Sequence, residues 1–288
     1  MIDGRTKLLG VMGTPISHSL SPKMHNAAFE AEAAREGRAS EYVYVPLDVR
    51  PEYVADAVRG LRALGFAGAN VTMPHKHAVL DLMDEVDDAS RVAGAMNTIV
   101  VEPDRLRGLN TDGGGFVEAC AEAGVEFEGR RTLLLGAGGA AAAVAVAVLA
   151  EGAAPVEIVN RTRSRAEELR ERLSGVPGGE RVSVRPQEEL EDAANEAEIV
   201  INTTYLGMKE GDASPLPESF MRSDLDVCDA VYRAGERTAL VRAAKEVGAR
   251  AVSGDRMLLY QGVAAQRAWT GREPDVAAMS RALEQASG

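Results

Sequence analysis

Leu133-Leu134-Leu135-Gly136-Ala137-Gly138-Gly139-Ala140-Ala141 joins an apolar run to a glycine turn and then to a stretch of small helix formers. An apolar run bounded by glycine reads as a buried strand, and residues 140–149 read as the helix that follows it. In that setting Gly136 permits the tight turn and Gly138 lets the main chain approach a pyrophosphate. Ala141 is small enough for close helix–strand packing. A pyrophosphate would rest on amides at the helix N-terminus, which makes Gly136, Ala137, Gly138, Gly139 and Ala140 candidate cofactor contacts.

The next strand, residues 156–159, sharpens the reading. A dinucleotide site selective for a free 2′-hydroxyl ends its second strand in Asp or Glu. Here Val159 leads into Asn160-Arg161-Thr162-Arg163-Ser164-Arg165, with no acid at the strand end. Guanidinium groups bind a 2′-phosphate through charge-assisted hydrogen bonds, so the expected cofactor is NADP. Further strands at 199–201 and 225–227 and helices at 164–173, 237–247 and 257–269 continue the α/β alternation. Residues 174–181, rich in glycine, read as a surface loop.

Outward toward the N-terminus, strands at 8–13, 42–45 and 66–71 alternate with helices at 22–35 and 51–64. That alternation indicates an open α/β sheet. Residues 96–101 and 106–110 flank a Glu-Pro-Asp turn and read as a hairpin at its edge. The acidic run at 84–88 reads as a solvated helix end. The 288 residues suit two domains, and a hydrophobic content of 45% suits a globular chain.

A formal charge of −12 excludes a nucleic-acid footprint, and no apolar stretch approaches the ~20 residues of a membrane span. The start of the chain carries no basic segment leading into an apolar one, so no secretory signal is expected. Cys120 and Cys228 have no metal-type spacing and read as reduced thiols of a cytoplasmic protein. His75-Lys76-His77 invites a metal reading, but the lysine would repel a cation and nothing completes a tetrahedral ligand set, so no metal is expected.

Polar residues collect at strand ends, where an α/β sheet holds its ligands. Gly13-Thr14-Pro15-Ile16-Ser17-His18-Ser19-Leu20-Ser21-Pro22 enters a helix whose N-terminus suits a carboxylate, although Ser21 before Pro22 also reads as an N-cap. His18 and His75 read as supports of the turns in which they stand. Gly68-Ala69-Asn70-Val71-Thr72-Met73-Pro74-His75-Lys76, Gly94-Ala95-Met96-Asn97-Thr98 and Gly108-Leu109-Asn110-Thr111-Asp112 follow. Asp229-Ala230-Val231-Tyr232 and Gly254-Asp255-Arg256-Met257-Leu258-Leu259-Tyr260-Gln261 close the series.

Together with the glycine loop, these ordered motifs closely resemble the shikimate dehydrogenase family over nearly the whole chain. The resemblance implies two α/β domains, an N-terminal substrate-binding open sheet and a Rossmann-type NADP-binding domain. It implies a first domain of residues 1–112 and 257–288, discontinuous in sequence, and a second of residues 113–256. It further implies reversible reduction of 3-dehydroshikimate to shikimate, with Lys76 and Asp112 as the catalytic pair. Ser19, Ser21, Thr72 and Tyr232 would bind the substrate carboxylate, and Asn97, Asp112 and Gln261 the ring hydroxyls. Asn160, Arg161, Thr162 and Arg165 would hold the 2′-phosphate. Thr203, Met208, Val231 and Gly254 complete the implied cofactor set, with Met208 approaching the nicotinamide.

The departure from the family pattern is local. Asn202-Thr203-Thr204-Tyr205-Leu206 stands where many relatives have Asn-Ala-Thr followed by smaller residues. Two alternatives stand beside the main reading: a quinate/shikimate dehydrogenase that also takes NAD, and a non-catalytic NADP-binding regulatory protein. The second has little reason to keep both Lys76 and Asp112. The implied partner is a small molecule, and a homodimer is compatible with the resemblance.

Overall fold

The computed structural model describes residues 2–233 and 236–287. In chain order the elements are β1 (Lys7–Gly13), α1 (Ser21–Arg35), β2 (Tyr42–Asp48), α2 (Val54–Ala63), β3 (Phe66–Val71), β4 (Glu85–Val86), α3 (Asp88–Ala93), β5 (Thr98–Val101) and β6 (Leu106–Leu109). They continue with α4 (Asp112–Glu122), β7 (Thr132–Leu135), α5 (Gly139–Ala150), β8 (Val156–Val159), α6 (Arg163–Leu173), β9 (Val182–Arg185), α7 (Leu190–Glu196) and β10 (Ile199–Asn202). The last are β11 (Asp226–Asp229), α8 (Ala239–Glu246), β12 (Arg250–Val252), α9 (Gly254–Thr270) and α10 (Val276–Ser287).

The chain divides into two compact units, Met1–Thr111 with Gln261–Gly288 and Asp112–Tyr260. The divisions fall at 111/112 and 260/261 rather than at 112/113 and 256/257. The first coincides with the start of α4, and the second lies inside α9, which runs unbroken through it.

The first unit holds a six-stranded sheet in the order β2-β1-β3-β5-β6-β4. β1 runs parallel to β2 and β3, whereas β5 is antiparallel to both β3 and β6. Successive side chains of a strand point to opposite faces, and both faces are covered. Leu9 and Val11 pack with Phe29 of α1 and Trp269 of α9, while Met12 packs with Val58 and Leu61 of α2. The Trp269 indole donates to the Ile99 carbonyl at 2.9 Å, which satisfies its one polar atom in that core.

The second unit is a wholly parallel sheet in the order β12-β11-β10-β7-β8-β9. Counted within the unit and from the β9 edge, this is the order 3-2-1-4-5-6 of a dinucleotide-binding fold, reversing at β7 and β10. Covered on both faces, its two central strands carry apolar runs, Leu133, Leu134 and Leu135 in β7 and Ile199, Val200 and Ile201 in β10, all of them buried. α5, apolar on every side, is buried or half-buried up to its last residue. Gly113 lets α4 lie against it, because a Cβ there would strike the Ala143 carbonyl.

Two readings of local sequence are corrected. The acidic run at 84–88 is a solvated helix end only in part: Asp87 and the exposed Asp88 begin α3, but the run also binds main-chain groups. Asp84 accepts from the Leu106 N–H at 2.7 Å, and Asp87 caps α3 through the Ser90 N–H at 2.8 Å and also accepts from the Asn110 N–H at 3.1 Å. The stretch 174–181 is a loop, but Gly178 and Gly179 within it are buried. No helix among the described residues is long and apolar enough to cross a membrane.

Candidate functional site

In the first unit, the carboxyl ends of β1, β3 and β6 and the amino end of antiparallel β5 lie along one edge of the sheet. That topology gathers the polar motifs. Thr72 follows β3, and its N–H donates to the Met12 carbonyl at 2.8 Å. Its methyl group fits beside β1 because position 13 is glycine. The half-buried Lys76 lies on the turn after Thr72, and its carbonyl accepts from the Met96 N–H at 2.9 Å.

The histidines flanking Lys76 are committed to main-chain carbonyls. His75 Nε2 lies 2.6 Å from the Val49 carbonyl and supports the turn, and His77 Nδ1 lies 2.6 Å from that of Gly94. No group of three metal-ligating side chains occurs among the described residues. His18 is exposed and, among the described residues, makes no hydrogen bond that would brace its turn. Ser19 donates its N–H to the Ile16 carbonyl at 3.0 Å. Ser21 does not cap α1. The cap position is Leu20, without a side-chain capping bond, and the buried Ser21 hydroxyl lies against the phenol of Tyr44.

Asn97 is 3% exposed and fixed on every side. Its Oδ1 accepts from the Thr111 N–H at 2.9 Å and from Thr98 Oγ1 at 3.0 Å. Its Nδ2 donates to Thr111 Oγ1 at 2.9 Å and to Gln261 Oε1 at 3.3 Å. Beneath it, Asn70 donates to the Asn97 carbonyl at 3.1 Å and to Thr98 Oγ1 at 3.0 Å, and accepts from the Tyr44 hydroxyl at 2.7 Å. A buried network in which every member is satisfied locks rotamers and amide orientation together.

Burial holds the Tyr44 hydroxyl well above its usual range, with the Ser21 hydroxyl opposing. His25 stacks on Tyr44 with centroids 4.3 Å apart, and burial pushes its imidazole down to about 3, with Asn70 opposing.

In the second unit, the glycine loop stands where the strand order reverses. Gly136 has a φ of +113°, and a Cβ there would lie 2.7 Å from Thr203 Oγ1. Thr203, just beyond β10, donates its N–H to the Leu135 carbonyl at 2.9 Å and its hydroxyl to the same oxygen at 2.7 Å. The N-cap of α5 is Gly138, so no side chain occupies the first amides of that helix. Such amides, with main chain able to come close, fit a pyrophosphate.

At the end of β8, Asn160 Nδ2 donates to the Thr162 carbonyl at 2.8 Å, which closes a tight turn into α6. Arg161, Thr162 and Arg165 are exposed. Arg163 is drawn to Glu167 at 3.5 Å, whereas Arg161 and Arg165 have no ion-pair partner among the described residues. Two uncommitted guanidinium groups at an acid-free strand end fit a 2′-phosphate.

Met208 is exposed, Val231 is buried and Tyr232 is half-buried, with burial raising the Tyr232 hydroxyl. Gly254 opens α9 so close to the chain at Val231 that a Cβ would come within 2.6 Å of its carbonyl carbon. Asp112 is the first residue of α4 and is 8% exposed.

Three contributors were not assigned roles from sequence: Asn70, Thr111 and Asp229. Each stands inside a quoted motif, and that was the available signal. Its meaning depends on hydrogen-bond partners that lie far away in the chain.

Three family models match the chain. The shikimate dehydrogenase substrate-binding domain covers residues 11–99, shikimate/quinate 5-dehydrogenase covers 118–208, and the shikimate 5′-dehydrogenase C-terminal domain covers 256–284. A shikimate dehydrogenase (NADP(+)) of Rubrobacter xylanophilus is 59% identical, covering 98% of this chain and 97% of its own. The shikimate 5-dehydrogenase of Thermus thermophilus, solved with NADP(H) and shikimate, is similar at a TM-score of 0.85 and 36% identity, covering 98% of this chain and 100% of its own. A quinate dehydrogenase of Corynebacterium glutamicum, solved with NAD, is similar at a TM-score of 0.87 and 33% identity, covering 97% and 99%.

Proposed function

This chain belongs to the shikimate dehydrogenase family, and from that membership we propose that it catalyses the reversible NADPH-dependent reduction of 3-dehydroshikimate to shikimate, within the biosynthesis of chorismate and the aromatic amino acids. The observation that carries the reading is the gathering of Thr72, Lys76, Asn97 and Gln261 at the polar edge of the first sheet. The second sheet of the same chain bears a glycine loop and two uncommitted arginines.

When bound, NADPH supplies a hydride to the ketone carbon. Lys76 donates the proton that the ketone oxygen needs as it becomes an alkoxide, and its positive charge stabilises that oxygen while charge develops. Asp112 orients the ammonium. Ser19, Ser21, Thr72 and Tyr232 bind the carboxylate, and Asn97, Asp112 and Gln261 bind the ring hydroxyls. Thr111 fixes the orientation of the Asn97 amide, and a ring hydroxyl would take the place of its longest bond, the 3.3 Å one to Gln261.

Gly136, Ala137, Gly138, Gly139 and Ala140 hold the pyrophosphate. Asn160, Arg161, Thr162 and Arg165 hold the 2′-phosphate, and Thr203, Met208, Val231 and Gly254 line the nicotinamide end. The free thiols of Cys120 and Cys228 support a cytoplasmic setting.

The test is a spectrophotometric assay at the NADPH absorbance band. Addition of 3-dehydroshikimate to enzyme and NADPH should bleach the band, and parallel runs should show NADPH favoured over NADH and shikimate over quinate. Equal use of NADH and quinate would move the assignment to a quinate/shikimate dehydrogenase. No turnover with any pair would leave a non-catalytic binding protein.

A further inference from the structure

We infer that Asp229 is a positioning residue for the nicotinamide half of the cofactor, acting through the loops after β10 and β11. Asp229 ends β11 and is 1% exposed. Its Oδ1 accepts from Asn202 Nδ2 at 2.8 Å and from the Val231 N–H at 3.0 Å, and its Oδ2 accepts from the Thr238 hydroxyl at 2.6 Å. No cation pairs with it among the described residues, so three hydrogen-bond donors alone hold this buried carboxylate. Burial raises its pKa and those three donors oppose the rise.

Each donor belongs to a different segment. Asn202 ends β10, and its side chain shapes the loop beyond. Its Oδ1 accepts from the Thr204 N–H at 3.0 Å and the Thr204 hydroxyl at 2.7 Å, while its Nδ2 also donates to the Leu206 carbonyl at 3.2 Å. Val231 belongs to the turn after β11. Thr238 caps α8, its oxygen accepting from the Val241 N–H at 3.3 Å, so its own hydrogen goes to Asp229. Gly207, at a φ of +100°, brings the β10 loop over Val231 and Thr238. One carboxylate therefore sets residues 203–208 and 230–232 together.

An amide replaces it only in part: with its oxygen toward Asn202 and Val231, its NH2 group faces Thr238, whose hydroxyl must turn to accept and loses the partner of its own hydrogen. Three donors converge on two oxygens, and asparagine offers one oxygen and an NH2 group that is itself a donor.

The location assigns the role, and here the inference rests on the proposed NADP-binding function. In this fold a dinucleotide lies across the carboxyl edge at the strand reversal. The adenosine half belongs with β8, where Arg161 and Arg165 stand, so the nicotinamide half belongs with β10 and β11. The Asp229 carboxylate is bonded to the end of β10, to the turn after β11 and to the cap of α8.

The test compares two ligands on the full-length protein. NADPH and 2′,5′-ADP, which lacks the nicotinamide half, are titrated calorimetrically into wild type, Asp229→Asn and Asn202→Ala, below the unfolding temperature of each. Asp229→Asn should weaken NADPH on the order of tenfold and leave 2′,5′-ADP within about twofold. Asn202→Ala should show the same selective loss to a smaller degree, and it decides the matter if Asp229→Asn does not fold. Equal weakening of both ligands would mark a general structural role and overturn the inference, as would unchanged NADPH affinity. Failure of wild type to bind either ligand would instead overturn the cofactor reading, and this inference with it.

Discussion

In the first unit the candidate ligand residues Asn97 and Gln261 are buried side chains bonded to each other; in the second the candidates for the phosphates are main-chain amides and exposed guanidinium groups. Asn97 spends its whole amide on neighbours before any ligand arrives, whereas Arg161 and Arg165 are committed to no ion pair among the described residues. The difference follows from the ligands each would serve. A small ring is told from its isomers by hydroxyl directions, which only rigid donors and acceptors can read. A phosphate is recognised by charge and by amides at a helix start, and these tolerate mobile side chains.

Removing the proposed proton donor should have the greatest consequence. Lys76→Ala should lower kcat by roughly 10²- to 10⁴-fold, the range for loss of a positioned proton donor. Steady-state turnover with 3-dehydroshikimate measures it, and near wild-type kcat would remove Lys76 from the chemistry.

On the second unit, Arg161→Ala and Arg165→Ala should each raise the KM for NADPH by about tenfold, as expected for one charge-assisted hydrogen bond, and leave that for NADH unchanged. A parallel rise with both cofactors would show that the arginines support the loop rather than the 2′-phosphate.

The locked network of the first unit can be tested through acid stability. His25 titrates near 6.5 when unfolded and at about 3 when folded. Below 6.5 the unfolded chain binds a proton that the folded chain refuses. Stability from the neutral imidazole is therefore full above pH 6.5 and is lost progressively as pH falls toward 3, at up to about 1.4 kcal/mol per pH unit. In His25→Phe the fall in Tm from pH 7 to pH 4 should be smaller than in wild type. An identical fall would mean that the imidazole is not the group responsible.

The smallest effect concerns Cys120 and Cys228, whose Sγ atoms lie 3.6 Å apart in the second unit, both buried. The hydrogen bond with Cys120, and then burial, raise the Cys228 thiol well above its usual range. A thiol-reactive chromophore should label neither cysteine in the native protein and both after denaturation. Rapid native labelling would show that this core opens.

Much of the fold was legible because its signals are local. β3 and β8 were read to the residue, and α5 to within one residue at each end, from apolar runs that stop at turn residues. α4 was not read as a helix, since Gly113, Gly114 and Gly115 each cost about 1 kcal/mol of helix propensity. Packing against Ala143, which only glycine permits at position 113, overrides that cost. The bonds of Asp84 and Asp87 to the N–H groups of Leu106 and Asn110 leave no local signal, because those groups lie 22 and 23 positions away.

The kinds of chemistry this protein holds can be read along the chain: a glycine loop suited to a pyrophosphate, arginines where an acid would otherwise stand, and a lysine among amides and hydroxyls. Residue type, order and periodicity carry that information along the chain. Which groups restrain which depends on the folded chain. Asn97 meets Gln261 across 164 positions, and Asp229 meets Asn202 across 27. A hydrogen bond depends on distance and angle in space, and the sheets bring such partners together without leaving a local pattern to read.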